Sequence, residues 1–262
     1  IRVYRRRWRH PMMTRMSRIA ETLAALALMA VSALPALAAC RDTEFDGHAF
    51  TLCEAVAGED LRLFWTGPDG EVLGSFARID AMLATGGERL VFAMNAGMYH
   101  PNRAPVGLYV EGGELQARLV TREGPGNFGL LPNGVFCIGE DRFSVIESRA
   151  YASMSPVCRD ATQSGPMLVI DGALHPRFLA DSDSLNLRNG VGVSADGQRA
   201  VFAISNEPVN FHLFARLFRD GLGLPDALFL DGSISRLYAP ELGWSDWGMP
   251  MGPVVGLVAP AG

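Results

Sequence analysis

A carboxylate at residue 231 is the first candidate for chemistry in this sequence. Asp231 follows residues 227–230, a continuously apolar run typical of a strand buried on both faces, and it precedes the small residues of "GSIS". Polar groups that leave a central strand are well placed to reach a ligand. Two interpretations stay open: Asp231 is a catalytic nucleophile or general base, or it is only the corner of a hairpin.

Four other loops place an amide, a hydroxyl or an arginine beside glycine, a composition that suits a hydroxyl-rich ligand. They are "MNAGMY", "LPNGVF", "TQSGPML" and "LRNGVGVS". Together with "DGSIS" they supply these candidate substrate-binding residues: Asn95, Asn133, Gln163, Ser164, Gly165, Arg188 and Ser233. Arg188 is the candidate for a phosphate, because a guanidinium fork matches phosphate oxygens, or it forms a structural ion pair. The amides and hydroxyls bind sugar or phosphate, or they cap loops.

Several other chemistries have little support. The sequence contains no lysine, which excludes a Schiff-base mechanism. "GPGNFG" matches a dinucleotide fingerprint, but "LLPNG" follows it where a helix should begin. Ser164 lies in a loop before a strand, unlike the elbow serine of hydrolases. The five histidines are scattered without ligand spacing, so we predict no metal site and no cofactor.

The elements that carry these loops predict an α+β fold. We expect a single domain with a mixed, mostly antiparallel β-sheet built from hairpins, and a few packed helices. The hairpins are predicted from alternating strands that turn on Gly-Gly, Glu-Asp or Asp-Gly, and residues 51–56 are expected to pair with residues 61–67. Helices are predicted over residues 75–86 and 209–220 from apolar residues at helical spacing.

The N-terminus differs from the rest of the chain. Seven arginines precede the apolar stretch of residues 22–38, which predicts a secretory signal peptide within residues 1–39 and a single domain over residues 40–262. We therefore expect a periplasmic or secreted protein. "LAAC" also resembles a lipobox, so Cys40 would either be lipidated, with membrane attachment, or form a disulfide. The four cysteines favour the pairs Cys40–Cys53 and Cys137–Cys158.

Charge excludes one class of partner. Beyond residue 39 the chain has 16 arginines against 27 acidic residues, and this acidic balance argues against a nucleic-acid partner.

The order of the motifs "NAGMY", "PNGVF", "QSGPML", "RNGVGVS" and "LDGSIS" resembles the phosphodiester glycosidase family. The resemblance runs from about residue 44 to residue 258 and implies an exported hydrolase that cleaves a sugar-1-phosphodiester to free sugar and phosphomonoester. Its partner would be such a small molecule or an envelope glycan, and Asp231 would lie at the catalytic site.

Other interpretations of the resemblance stay open. A phosphomonoester is a good leaving group, so a second catalytic carboxylate need not exist; if one does, Glu207 and Asp171 are the candidates. One alternative is a non-catalytic envelope carbohydrate-binding protein with the same fold. Another is an exported hydrolase that acts on ester or peptide bonds.

Overall fold

The computed structural model describes residues 1, 39–231 and 234–262. The predicted signal peptide lies outside these residues, apart from its two ends. Among the described helices, none has the length and apolar character needed to cross a membrane.

The strands, in chain order, are β1 Cys40–Phe45, β2 His48–Val56, β3 Leu61–Phe64, β4 Glu88–Asn95, β5 Tyr109–Glu111, β6 Glu114–Ala117, β7 Gly134–Ile138, β8 Phe143–Glu147, β9 Asp160–Ser164, β10 Met167–Ile170, β11 Ala173–Leu174, β12 Asn189–Val193, β13 Arg199–Ser205, β14 Asp226–Asp231, β15 Leu237–Ala239, β16 Trp244–Ser245 and β17 Val254–Pro260. The helices are α1 Phe76–Ala84, α2 Ser148–Met154 and α3 Phe211–Arg216, with a π-helical turn at Leu217–Gly221 and a 3-10 turn at Pro240–Leu242.

The described strands form three sheets. The first has the order β1-β2-β13-β12-β14-β10-β11, the second β16-β15-β4-β17-β3 and the third β6-β5-β9-β7-β8. Every pairing between these described strands is antiparallel. The predicted α+β class is confirmed, and the expected single sheet is divided into three.

The main core lies where the three sheets face one another. Phe202 of β13 packs against Phe92 of β4, with ring centroids 5.6 Å apart, and against Phe136 of β7 at 5.7 Å. Each ring belongs to a different sheet and is almost completely buried. Burial of one such ring contributes about 1.5–3 kcal/mol, so these three rings help to stabilise the packing of the sheets.

The two predicted helices cover outer faces of the sheets. The Ser75 hydroxyl accepts a hydrogen bond from the Arg78 amide and caps α1, which buries Phe76, Ile79 and Leu83 against the second sheet. The second predicted helix is present as α3, but it continues as a π-helical turn. Its phenylalanines pack on the outer face of the first sheet.

The predicted local hairpins are confirmed, except for the first. β5 pairs with β6, β7 with β8, β10 with β11 and β12 with β13. The expected hairpin of residues 51–56 with residues 61–67 is wrong, because β2 pairs with β1 and β13, whereas β3 pairs with β17. The partner β1 is local, whereas β13 and β17 lie far along the chain from the strands they pair with.

Both predicted disulfides are present, Cys40–Cys53 between β1 and β2 and Cys137–Cys158 between β7 and the segment before β9. The first uses the sulfur that lipidation of Cys40 would need. Disulfides persist in oxidising compartments, so the pair indicates an extracellular or periplasmic protein.

We expect loss of the Cys137–Cys158 disulfide in the Cys137→Ser/Cys158→Ser variant to lower the free energy of unfolding by about 3 kcal/mol. The bond closes a 21-residue separation and restricts the unfolded chain. Urea unfolding of the two proteins measures the difference. The Cys40→Ser/Cys53→Ser variant, with a separation of 13, should lose a similar amount; a change below about 1 kcal/mol in both would contradict this account.

Candidate functional site

Ends of strands from all three sheets meet at one rim. Asn95 is the last residue of β4, Ser164 the last of β9 and Asp231 the last of β14, while Asn189 begins β12. All four residues are buried. Buried polar side chains require hydrogen-bond partners, so their bonds define how the rim is built.

The amide of Asn189 joins two sheets at this rim. Its Oδ1 accepts a hydrogen bond from the Asp231 backbone N–H at 2.9 Å, and its Nδ2 donates to the Asn95 carbonyl at 3.0 Å. The Asn95 Oδ1 in turn accepts from the Arg236 N–H at 2.8 Å. Because Asn189 and Asp231 are also register partners in the β12–β14 ladder, both the side chain and the strand of Asn189 position the Asp231 backbone.

Asp231 lies at the wall of a cavity of about 490 Å³. The lining residues are Met98, Tyr99, Val106, Pro125, Gly126, Asn127, Phe128, Asp231 and Ile234. The run before Asp231 is buried on both faces, since Phe229 packs on the α3 side and Leu228 and Leu230 pack in the main core. β14 pairs with β12 and β10, and the next strand, β15, belongs to another sheet, so Asp231 is not a hairpin corner.

Tyr99 is a second polar residue of this cavity, and it was not among the residues predicted from the sequence. Its hydroxyl is buried and has no hydrogen-bond partner among the described residues. Burial raises the pKa of Tyr99 most, and the negative charge of Asp231 raises it further. The phenol therefore stays protonated at neutral pH. A Cβ at Gly252 would lie 2.5 Å from the Tyr99 Cβ, so a glycine there lets the ring take this position.

Two arginines flank Tyr99 and were also missed. The Arg103 guanidinium carbon lies 5.4 Å from the centre of the Tyr99 ring, and the charges of Arg103 and Arg236 both act on the Tyr99 hydroxyl. Both arginines are partly exposed, and neither forms an ion pair with a carboxylate of the described residues. Cationic side chains of this kind are available to an anion.

Arg188, the predicted phosphate ligand, occupies a different environment. It is 1% exposed, its Nε donates to the Val209 carbonyl at 2.8 Å, and its Nη2 donates to the Ser184 carbonyl at 2.9 Å. Its guanidinium carbon lies 3.6 Å from the centre of the Phe211 ring. Burial lowers its pKa to about 10, and no carboxylate of the described chain pairs with it. The structural ion pair considered for Arg188 is thus not formed among the described residues. A phosphate could contact Arg188 only if the residues that cover its guanidinium moved.

The hydrogen bonds of Gln163 and Ser164 connect loops and strands in this structure. The Gln163 Oε1 accepts from two backbone N–H groups, those of Leu108 and Val120, and its Nε2 donates to the Val120 carbonyl and the Ser148 hydroxyl. The Ser164 hydroxyl donates to the Leu230 carbonyl at 2.8 Å. These contacts correspond to the structural role that the sequence analysis left open for both residues.

Asn133 and Gly165 pack together behind the cavity wall. The Asn133 Nδ2 donates to the carbonyl of Phe128, a lining residue, while its Oδ1 is buried without a partner among the described residues. A Cβ at Gly165 would lie 2.6 Å from the Asn133 Cβ, so the glycine lets the two segments approach. Asn133 thus touches the wall through Phe128.

The remaining candidates lie elsewhere. Ser233 is outside the described residues. Glu207 is exposed and contacts the His48 ring, with 2.9 Å between its Oε1 and Nδ1, and Asp171 occupies the exposed turn between β10 and β11 at a φ of 48°. Neither lines the cavity of Asp231. By contrast, "GPGNFG" is not followed by a helix, and its residues Gly126, Asn127 and Phe128 form part of the cavity wall.

We expect Asn189→Ala to lower the free energy of unfolding by about 2–4 kcal/mol, because it leaves the Asp231 N–H and the Asn95 carbonyl buried without partners. Chemical denaturation measures this loss. Asn102→Ala is the matched control, since the Asn102 amide accepts one exposed backbone hydrogen bond, and it should cost less than about 1 kcal/mol. Equal losses in the two variants would show that the Asn189 bonds do not hold the rim.

Comparison with known proteins identifies the family. Residues 88–246 match the sequence model of the phosphodiester glycosidases. The Escherichia coli (strain K12) protein YigE is 35% identical over 180 residues, 69% of this chain and 70% of YigE.

Two solved structures share the fold. The zebrafish N-acetylglucosamine-1-phosphodiester alpha-N-acetylglucosaminidase catalytic domain, auto-inhibited by its pro-peptide, has a TM-score of 0.53 at 14% identity, with coverage of 83% of this chain and 81% of that chain. A hypothetical protein from Synechocystis has a TM-score of 0.51 at 13% identity, with coverage of 84% and 61%. The family match and the identity to YigE show that this chain belongs to the phosphodiester glycosidase family.

Proposed function

We propose that this protein hydrolyses a sugar-1-phosphodiester, releasing the free sugar and a phosphomonoester, with Asp231 as the catalytic carboxylate. The observation that carries the proposal is the position of Asp231, at the end of a strand buried on both faces and at the wall of a 490 Å³ cavity. Ligand cavities commonly have volumes of about 300–1,000 Å³, so one sugar ring and a phosphate can fit.

The charges around the cavity suit the two ends of such a bond. Positive charge develops at the anomeric carbon as the glycosidic bond breaks, and a carboxylate on that side stabilises it. The phosphodiester is an anion, and Arg103 and Arg236 are cations near the Tyr99 hydroxyl without a carboxylate partner in the described chain. We assign the phosphate to these arginines in preference to Arg188, which is sealed from solvent.

The chemical step needs one carboxylate. Acting as a base, Asp231 takes a proton from water while the water oxygen bonds to the anomeric carbon. The bond from that carbon to the phosphate oxygen breaks, and its electron pair leaves with the phosphomonoester. Acting as a nucleophile, Asp231 itself bonds to the anomeric carbon, and water hydrolyses the ester in a second step. Because the phosphomonoester anion is a good leaving group, neither route requires a general acid.

Export fits the same proposal. The two disulfides support an extracellular or periplasmic location, and a signal peptide within residues 1–39 would deliver the protein there. The substrate there would be a sugar phosphodiester or an envelope glycan.

We expect Asp231→Asn to reduce turnover at least about a hundredfold, or some 2.7 kcal/mol, with little change in stability, because it removes the charge and keeps the shape. Chromatographic product analysis with a panel of sugar-1-phosphodiesters gives the rate. Asp226→Asn is the matched control: it makes the same change at the other end of β14, where Asp226 accepts a hydrogen bond from the Asp171 N–H, and should leave the rate within about twofold.

Full activity of Asp231→Asn would remove the catalytic assignment. Binding of the diesters by the unmodified protein without any product would favour the alternative of a carbohydrate-binding protein with this fold.

We expect Arg236→Lys to raise the KM for the diester about tenfold, because lysine keeps the charge but loses the planar fork. Arg188→Lys should instead lower the melting temperature, since it loses the stack on Phe211 and two hydrogen bonds. Steady-state kinetics and thermal unfolding of both variants separate these effects. A raised KM with unchanged stability in Arg188→Lys would return the phosphate to Arg188.

A further inference from the structure

A short loop carries Tyr99 to the wall of the Asp231 cavity. Within residues 98–106 the Val106 N–H donates to the Met98 carbonyl at 3.1 Å, and Tyr99 forms an isolated antiparallel bridge with the other side of the loop. Met98, Tyr99 and Val106 all line the cavity. The backbone of Tyr99 is therefore positioned by its own loop.

The ring of Tyr99 is held by its neighbours. A Cβ at Gly252 would lie 2.5 Å from the Tyr99 Cγ and 2.6 Å from its Cδ1, so the ring lies against a backbone without a side chain. The Arg103 guanidinium lies over the ring. The Arg103 backbone has a φ of 70°, and its N–H donates to the His100 carbonyl at 2.7 Å. These contacts determine the position of the Tyr99 hydroxyl.

Packing does not account for the hydroxyl itself. Its oxygen is buried and has no hydrogen-bond partner among the described residues. Phenylalanine would make the same ring contacts without leaving a buried polar atom unpaired, which is unfavourable in a folded protein. The Nε and Nη2 of the buried Arg188, by contrast, donate to backbone carbonyls. The Tyr99 hydroxyl keeps its donor for a ligand, and bonds of this kind commonly tighten only in the substrate complex.

Three charged side chains act on this hydroxyl, namely Asp231, Arg103 and Arg236. In the proposed complex the anomeric carbon faces Asp231 and the phosphate contacts the two arginines. A hydroxyl near both groups is placed to reach the oxygen that joins carbon to phosphorus. Negative charge grows on that oxygen as the bond breaks, so a hydrogen-bond donor stabilises it more in the transition state than in the ground state.

We propose that the Tyr99 hydroxyl donates a hydrogen bond to the diester oxygen that leaves with the phosphate, which makes Tyr99 a second catalytic residue. The inference rests on the proposed function and adds the group that acts on the leaving side of the bond. The new bond to the anomeric carbon comes from water or from Asp231. The electron pair of the broken carbon–oxygen bond passes to the leaving oxygen, and Tyr99 keeps its proton.

Removal of this one hydroxyl tests the role. Tyr99→Phe should lower kcat about tenfold to a hundredfold and leave KM within about twofold, since the hydrogen bond strengthens only as charge develops. Tyr151→Phe is the matched control, because it removes a hydroxyl that lies 3.6 Å from the Cys158 sulfur and outside the cavity lining, and it should change neither constant. Steady-state kinetics with methyl esters of sugar-1-phosphates gives both values.

A diester with sulfur in the bridging position identifies the atom that accepts the bond. Sulfur is a weak hydrogen-bond acceptor, so Tyr99→Phe should lower kcat for this substrate less than about threefold. Equal losses with the oxygen and sulfur substrates would overturn the assignment to the leaving oxygen. A kcat of Tyr99→Phe within about twofold of the unmodified protein would overturn it as well.

Thermal unfolding excludes a structural explanation. Tyr99→Phe should keep or raise the melting temperature, by up to about 4 °C, because it removes an unpaired buried hydroxyl. A fall of more than about 2 °C would show that the hydroxyl stabilises the fold and would count against the proposal.

Product binding separates this inference from the proposed function. Calorimetry with methyl phosphate, a simple phosphomonoester, should give a dissociation constant about tenfold weaker for Tyr99→Phe than for the unmodified protein or Tyr151→Phe. Turnover of no diester by the unmodified protein would count against the proposed function alone. Unchanged or undetectable binding of methyl phosphate would overturn the assignment of Tyr99.

Discussion

One buried amide, that of Asn189, holds together the parts from which the candidate site is made. It bonds the backbone of Asp231 on one side and that of Asn95 on the other, and these residues end strands of different sheets. A buried carbonyl and a buried N–H without partners would each cost about 1–3 kcal/mol, so the pairing is strongly favoured. The carboxylate of Asp231 is therefore carried on a backbone whose position is set by its neighbours in two sheets.

Two glycines allow close contacts between segments around this rim. At Gly165 and Gly252 a Cβ would collide with Asn133 and Tyr99, respectively. Each glycine brings a polar residue closer to its neighbours than any larger residue would permit. The glycine of "QSGPML" thus has a steric cause that is independent of loop flexibility.

Much of the local structure could be predicted from the sequence, because alternating strands, tight turns and helix caps are local signals. The hairpin of β7 and β8 and the Ser75 cap of α1 are examples. The pairing of β2 with β13 could not be predicted, since the sequence of an antiparallel strand with a neighbour on each edge does not indicate which distant strand lies beside it.

The site was predictable only in part for the same reason. The position of Asp231 after a strand buried on both faces could be predicted, because that run is continuous in the sequence. In "LRNG", Arg188 was the predicted ligand, whereas the amide of Asn189 makes the connection between sheets. Nothing in the sequence singled out Tyr99, and its hydroxyl, buried without a partner among the described residues, becomes visible only when the surrounding strands are in place.

The Cys40–Cys53 disulfide has a consequence for the order of assembly. β1 and β2 are successive strands, and their cysteines face each other in the ladder, so this hairpin can form and be cross-linked while most of the chain is still unfolded. β13, the other neighbour of β2, lies about 150 residues further along the chain. Oxidation of Cys40 and Cys53 would then fix the β1–β2 edge of the seven-stranded sheet. β13 and the later strands can add to this edge in register.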